Sequence, residues 1–314
     1  MNCQERFHSR WPSLQDCHVR ALAWLIDSPD LLHSQAPQWQ GRIASVKDVD
    51  RDTTRDWLLA LDRHPAPLHE RLHLKPFTRL GRYAETLMAF YFEHLGILAA
   101  HGVPVREGKD RTLGEFDYLL RLPQGLVHWE FATKLYLLES GGRGQHVDYF
   151  VGPNLVDTLG AKIGKILDQQ LKLAEHPSAQ AHLPEPVVAA QALVKGWLFY
   201  READARRASA LGVSPDHCFG FWRPCAEIES LPYQDYAILP RLQWLAPARL
   251  PSSQTMKLAE IKARLQEQFT QDSMPVLLAC LSTENGMGIE VERGFIVPDD
   301  WQARAGLRAH KNPA

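Results

Sequence analysis

Asp117 and Glu130 are the residues whose spacing most directly suggests chemistry. They lie in the stretch from Leu113 to Lys134, LGEFDYLLRLPQGLVHWEFATK, where two alternating runs flank Leu122-Pro123-Gln124-Gly125. Alternating apolar and polar residues predict half-buried strands, and proline at the second and glycine at the fourth position of the connection suit a type I turn. Whether the loop has four residues or only Pro123 and Gln124, Arg121 pairs with Leu126, and counting outward sets Asp117 opposite Glu130. Opposed residues in an antiparallel pair have Cβ atoms roughly 4.5 to 5.5 Å apart, where like charges destabilise. A hard divalent cation would neutralise them, since Mg²⁺ binds through one or two carboxylates and keeps waters for phosphate oxygens. The competing expectation is a solvated face on which Glu115 reaches diagonally to Lys134, because a sheet with one wet face alternates in the same way.

These side chains must be positioned by the surrounding elements. One predicted hairpin face carries Phe116, Tyr118 and Leu120 against Phe131, Trp129 and Val127, and is core; the other carries Glu115, Asp117 and Leu119 against Ala132, Glu130 and His128. His128 reads as a polar surface or packing residue rather than a ligand or base. Ahead of the hairpin, Thr78 to Leu95 predicts a helix that is apolar almost all round and therefore buried. Glu85 inside it needs a partner or a raised pKa, and Arg82 or Arg79 is the simplest partner. Beyond the hairpin, Gly141-Gly142-Arg143-Gly144 predicts a flexible connection and Asp157 to Ala174 one long amphipathic helix. Lys162, Lys165 and Gln169 line up along it at i, i+3 and i+7, either as a solvated stripe or as contacts to a phosphate backbone. Leu193 to Tyr200 predicts a further strand.

Three regions follow. Residues 1–74 are a helical segment, with a helix after Cys17 that stops at Ser28-Pro29 and a second over Thr53 to Leu61, ending before His64-Pro65-Ala66-Pro67. Residues 75–202 run helix, strand, strand, long helix, strand, an α/β core. Residues 203–314 are β-rich or α+β and pack on the same sheet, with a hairpin whose Asn285-Gly286 signals a tight primed turn. Trp222 and Trp244 could serve as stacking platforms for bases, but in a chain with nine tryptophans burial is the default.

Composition narrows the rest. The 314 residues are 45% hydrophobic, enough for a sizeable core. With 35 basic and 37 acidic residues the formal net charge is −2, so any polyanion site must be local. A charged amino terminus without an apolar signal core, and no run of eighteen apolar residues, lead to the expectation of a cytoplasmic protein without membrane contact. The cysteines at 3, 17, 218, 225 and 280 include no CxxC pair, so neither a disulfide framework nor a zinc site is expected. There is no P-loop, GxGxxG, HExxH or GxSxG motif.

An acid in a leading helix, an aspartate on a strand, and a glutamate then a lysine on the adjacent strand, before an amphipathic helix and another strand, together resemble the PD-(D/E)XK phosphodiesterase superfamily over about Lys75 to Tyr200. More narrowly, GRYAE, GEFDYLL and HWEFATKLYL resemble an uncharacterised bacterial domain-of-unknown-function family placed in that superfamily. The resemblance implies a restriction-endonuclease-like core, a mixed central sheet flanked by helices. It implies that Glu85, Asp117 and Glu130 bind Mg²⁺ or Mn²⁺, with Lys134 as the site lysine, for cleavage of nucleic acid, DNA ahead of RNA. Glu115 would be an outer ligand. The chain departs from the pattern in two places: Ala132 stands where the superfamily has its lysine, and Phe116 where it often has proline. Lys134 shares the face of Glu130, yet four residues of strand span about 13 Å, so it reaches the site only by folding back or across a bulge; Lys162 or Lys165 could substitute. The alternative is a catalytically inactive, nuclease-like binding or interaction module.

Overall fold

The protein is described here from a computed structural model covering residues 1–73, 77–108, 111–139, 147–201 and 212–309; the predicted connection at Gly141 to Gly144 lies outside these. The first helix, α1 (Cys3–Arg10), opens with a capping box in which Asn2 and Glu5 satisfy each other's backbone N–H groups. In α2 (Cys17–Asp27) the Asp16 side chain accepts from the first-turn amides, and the helix stops at Ser28, before Pro29, as expected. After α3 (Thr54–Arg63) the proline-rich stretch does more than end a helix, because α4 (Ala66–His73) begins inside it. Pro67 sits in the first turn, where a proline forfeits no helical hydrogen bond. The predicted buried helix is α5 (Leu80–His94).

A strand absent from the sequence prediction comes next, β1 (Leu98–Glu107), followed by the expected pair β2 (Arg111–Leu122) and β3 (Gly125–Leu138). Then come the two-residue β4 (Phe150–Val151), α6 (Leu159–Lys165) and β5 (Val187–Tyr200). The predicted long helix over 157–174 is broken: α6 passes into a π-helical turn at Ile166–Gln170, where the Leu171 amide donates to the Ile166 carbonyl, and then into a 3₁₀ turn at Leu173–Glu175. The remaining elements are β6 (Cys218–Pro224), β7 (Asp235–Ile238), β8 (Arg249–Pro251), α7 (Leu258–Gln271), β9 (Val276–Glu284), β10 (Met287–Val297) and α8 (Trp301–Ala309). The fold is mixed α/β, with ten strands in a mixed sheet of order β1-β2-β3-β5-β6-β10-β9-β7, β4 pairing with β3 and β8 with β10. Among the described residues no helix is long and apolar enough to cross a membrane.

The chain divides into two compact units. One comprises Met1–Pro12, Leu135–Gly160 and Gly196–Ala314. In it β9 and β10 form the predicted hairpin, turning on Asn285 and Gly286 at φ 48° and 77°, the left-handed values a primed turn requires. Its centre holds Arg293, fully buried, bonded to Glu290 at 2.6 and 2.8 Å and to three backbone carbonyls, with Trp197 under the guanidinium. Trp222 is buried and donates to the Leu138 carbonyl, and half-buried Trp244 donates to that of Leu239, so both indoles serve packing.

The other unit comprises Ser13–Lys134 and Ala161–Lys195 and carries every residue predicted to do chemistry. Here α5 lies on one sheet face, where Phe92 meets Tyr118 and Trp129 edge-on at 5.1 and 5.7 Å. The segment after the π turn covers the other, with Leu173 and Ala179 packed among Phe116, Leu119 and Leu126. Helix on sheet on helical segment accounts for a hairpin buried on both faces, since each apolar surface must find a partner layer.

Candidate functional site

The hairpin register matches the counted one: Arg121 pairs with Leu126, and Leu122 with Gly125 across a two-residue loop. The backbone ladder runs as far as Tyr118 and Trp129. One step further the amide of Phe131 donates 2.9 Å to Asp117 Oδ2, so a carboxylate takes the hydrogen bond. Alternation breaks at the same place. Phe116, expected beside Tyr118, instead stacks edge-on against His128 at 4.9 Å and belongs to the cluster of Leu119 and Leu126. The competing expectation of a solvated face does not hold on β3: Leu119 and His128 are fully buried and Glu130 is 2% exposed.

Three carboxylates converge beside this break. Glu85 from α5 and Glu115 and Asp117 from β2 each bring an oxygen to within 4.8 Å of the others. Glu85 is buried because α5 is apolar around it, and Tyr118 Oη donates 2.7 Å to its backbone carbonyl, tying helix to strand at this residue. His101 Nε2 lies 3.0 Å from Glu85 Oε1. Arg82 Nη1 donates to both oxygens of Glu85 at 3.0 and 3.2 Å and to Glu115 Oε1 at 2.8 Å. Arg82 is thus the expected partner of Glu85, and Glu115 belongs to the cluster itself rather than to an outer layer.

Glu130 joins from β3, near enough for its charge to act on the Asp117 carboxyl. Gln170 Nε2 donates to Glu130 Oε1, and Lys162 Nζ donates 3.1 Å to Gln170 Oε1, a relay running from the helical segment to the acid. The π turn makes this relay. On a straight α-helix Gln169 would share the stripe of Lys162 and Lys165; the extra residue per turn brings Gln170 inward and leaves Lys165 and Gln169 exposed. Lys134 is half-buried and near enough to Lys162 for the two ammonium groups to repel. Ala132, at the superfamily's lysine position, is buried.

The electrostatics follow from crowding acids in a dry place. Desolvation, then the charge of Glu130, pushes Asp117 up to about 8, although the Phe131 amide opposes this. Desolvation lifts Glu130 to about 7, against the pull of Lys162. Burial lowers Lys162, with Glu130 opposing, and drives His128 down to about 4, so the imidazole is neutral. Glu130 Oε2 and both ring nitrogens of His128 are buried without a hydrogen-bond partner, although His128 Nε2 is 3.7 Å from that oxygen. Oxygen donors alone, several anionic and one orphaned, fit a hard divalent cation better than a transition metal that prefers nitrogen or sulfur.

The family model for a domain of unknown function, DUF1853, matches residues 20–297, and the chain belongs to that family. No curated protein and no solved structure shows significant similarity to it.

Proposed function

We propose that this DUF1853 chain is a metal-dependent phosphodiesterase of the PD-(D/E)XK type acting on nucleic acid, DNA ahead of RNA. The observation that carries the reading is the convergence of Glu85, Glu115 and Asp117 within 4.8 Å beside a buried Glu130 with an unpartnered oxygen. Like charges gathered out of water are costly unless something compensates them, and Mg²⁺ or Mn²⁺ bound by Glu85, Asp117 and Glu130, with Glu115, would do so.

Such an ion would polarise a phosphate oxygen and acidify an attacking water. The protein's own groups do the rest. The Phe131 amide fixes the Asp117 carboxylate, and Gln170 fixes Glu130, so neither acid needs to reorganise as charge develops. Lys162, held through Gln170, keeps positive charge beside Glu130 for a phosphate, the role that the superfamily pattern gives to a lysine where this chain has Ala132. Lys134 adds a second amine in the same region, and Lys165 and Gln169 offer exposed phosphate contacts.

A second reading, a nuclease-like module without catalysis, is favoured by one specific contact: the Arg82 guanidinium already neutralises Glu85 and Glu115. Incubating purified protein with DNA and RNA in single- and double-stranded forms, with Mg²⁺, Mn²⁺ or EDTA, separates the two. The phosphodiesterase reading expects cleavage that needs the ion and is lost in Asp117→Ala. No cleavage of any form, with Asp117→Ala binding metal as the parent does, would leave the module.

A further inference from the structure

We propose that Arg82 is a built-in competitor at this acidic site: a divalent ion binds by displacing its guanidinium from Glu85 and Glu115, so Arg82 sets the metal affinity. The inference rests on reading the site as a metal centre and concerns how that centre is regulated. A single nitrogen, Arg82 Nη1, occupies all three contacted oxygens, at 2.8, 3.0 and 3.2 Å. Two of the three carboxylates that converge as ligands are therefore already engaged by a cation, and a second cation cannot take the same lone pairs while the guanidinium holds them.

The placement suits displacement. The side chain of Arg82 is 56% exposed, against 10% for Glu85 and 32% for Glu115, so the guanidinium caps the acids from the open side. It is held by two acids and anchored three residues before one of them on α5, a short tether with a clear way out. Glu85 keeps a partner when it leaves, because His101 Nε2 also reaches Glu85 Oε1 at 3.0 Å. Independently of Arg82, Glu130 is 2% exposed and its Oε2 is buried without a hydrogen-bond partner, which marks unmet demand for positive charge beside Asp117. The competition leaves the inner acids waiting and the outer acids filled. Once displaced, the planar guanidinium retains the donor geometry that suits a phosphate.

The test is Mn²⁺ binding to the full chain, followed by calorimetry and by the electron paramagnetic resonance of free Mn²⁺, for the parent, Arg82→Gln, Arg82→Lys and Asp117→Asn. Arg82→Gln should bind Mn²⁺ roughly 10- to 100-fold tighter, the range expected when charge-assisted hydrogen bonds no longer have to be broken. Arg82→Lys, which keeps the charge on a shorter side chain that holds the acids less closely, should fall between, and decides the matter if the glutamine variant does not fold. Equal or weaker Mn²⁺ binding in the Arg82 variants, with binding abolished in Asp117→Asn, overturns the competitor role and leaves the metal centre standing. Absence of Mn²⁺ binding in the parent and in both Arg82 variants overturns the metal centre itself, and the competitor role with it.

Discussion

At the scale of single residues, the informative quantity is where Asp117 and Glu130 hold their protons. An unfolded chain releases them near the ordinary values of 3.8 and 4.5, whereas burial holds them to about 8 and about 7 in the folded protein. Between those limits the native state binds more protons than the unfolded state, so the stability these groups contribute is complete below about 4 and is lost as pH rises through 7 to 8. His128, held down to about 4, acts with the opposite sign, but only below its ordinary value of 6.5. From about pH 6.5 to 8 the acids therefore dominate, with Lys162, whose pKa burial lowers, opposing them at the alkaline end. Metal-free protein should lose thermal stability across that interval. The Asp117→Asn, Glu130→Gln double variant should have a flatter profile, because the amides resemble the protonated acids. A metal held as proposed would compete with those protons, so added Mn²⁺ should raise the melting temperature more at pH 8 than at pH 6. Scanning calorimetry at four pH values, with Mn²⁺ and with EDTA, checks both signs; a parent profile as flat as the double variant's would show that the acids are not buried as described.

At the scale of elements, the π turn decides which glutamine matters. Gln170→Leu removes the donor to Glu130 and the acceptor for Lys162, leaving a buried acid short of a partner, which costs about 1–3 kcal/mol. Gln169→Leu, one residue earlier and exposed, should stay within about 0.5 kcal/mol of the parent. Urea titrations of the two variants measure the contrast, and equal losses would mean an unbroken helix. The sequence concealed this because a π turn has no residue signature: Lys162, Lys165 and Gln169 fit ordinary helical spacing, and a single wide turn moves the inward-facing position by one. The hairpins were legible for the opposite reason. Pro123-Gln124 and Asn285-Gly286 are turn residues whose chemistry fixes register, and the pairing of Arg121 with Leu126 followed by counting. Counting failed where the ladder stops: the Phe131 amide turns to Asp117, and Phe116 crosses to the face of His128. β1 was hidden because Leu98–Glu107 does not alternate and contains Gly102 and Pro104. Glu85 could be singled out as an acid inside an apolar helix, whereas the role of Arg82 as a bridge needed the packing of α5 on β2.

At the scale of the whole molecule, a formal net charge of −2 means that nucleic-acid affinity has no general electrostatic source. On the proposed reading, binding would come from a few cations near the acids, such as Arg82, Lys134, Lys162 and Lys165, which are brought to this region or exposed beside it. Each phosphate neutralised on duplex DNA releases counterions and adds about 0.9 to the slope of log affinity against log salt, so four contacts give a slope of about −3 to −4. Fluorescence anisotropy of a labelled duplex, with Ca²⁺ replacing Mg²⁺ to suppress turnover, should give that slope between 50 and 300 mM NaCl. Lys162→Gln should make it shallower by about one unit. The acids sharpen the expectation: with the cluster ionised and no divalent ion present they repel the backbone, so EDTA should weaken binding beyond what the lost cation contacts explain, and the Asp117→Asn, Glu130→Gln variant should recover part of that loss. A slope near zero would place any polyanion contact elsewhere on the molecule, and a slope much steeper than −4 would require a basic surface wider than these four side chains supply.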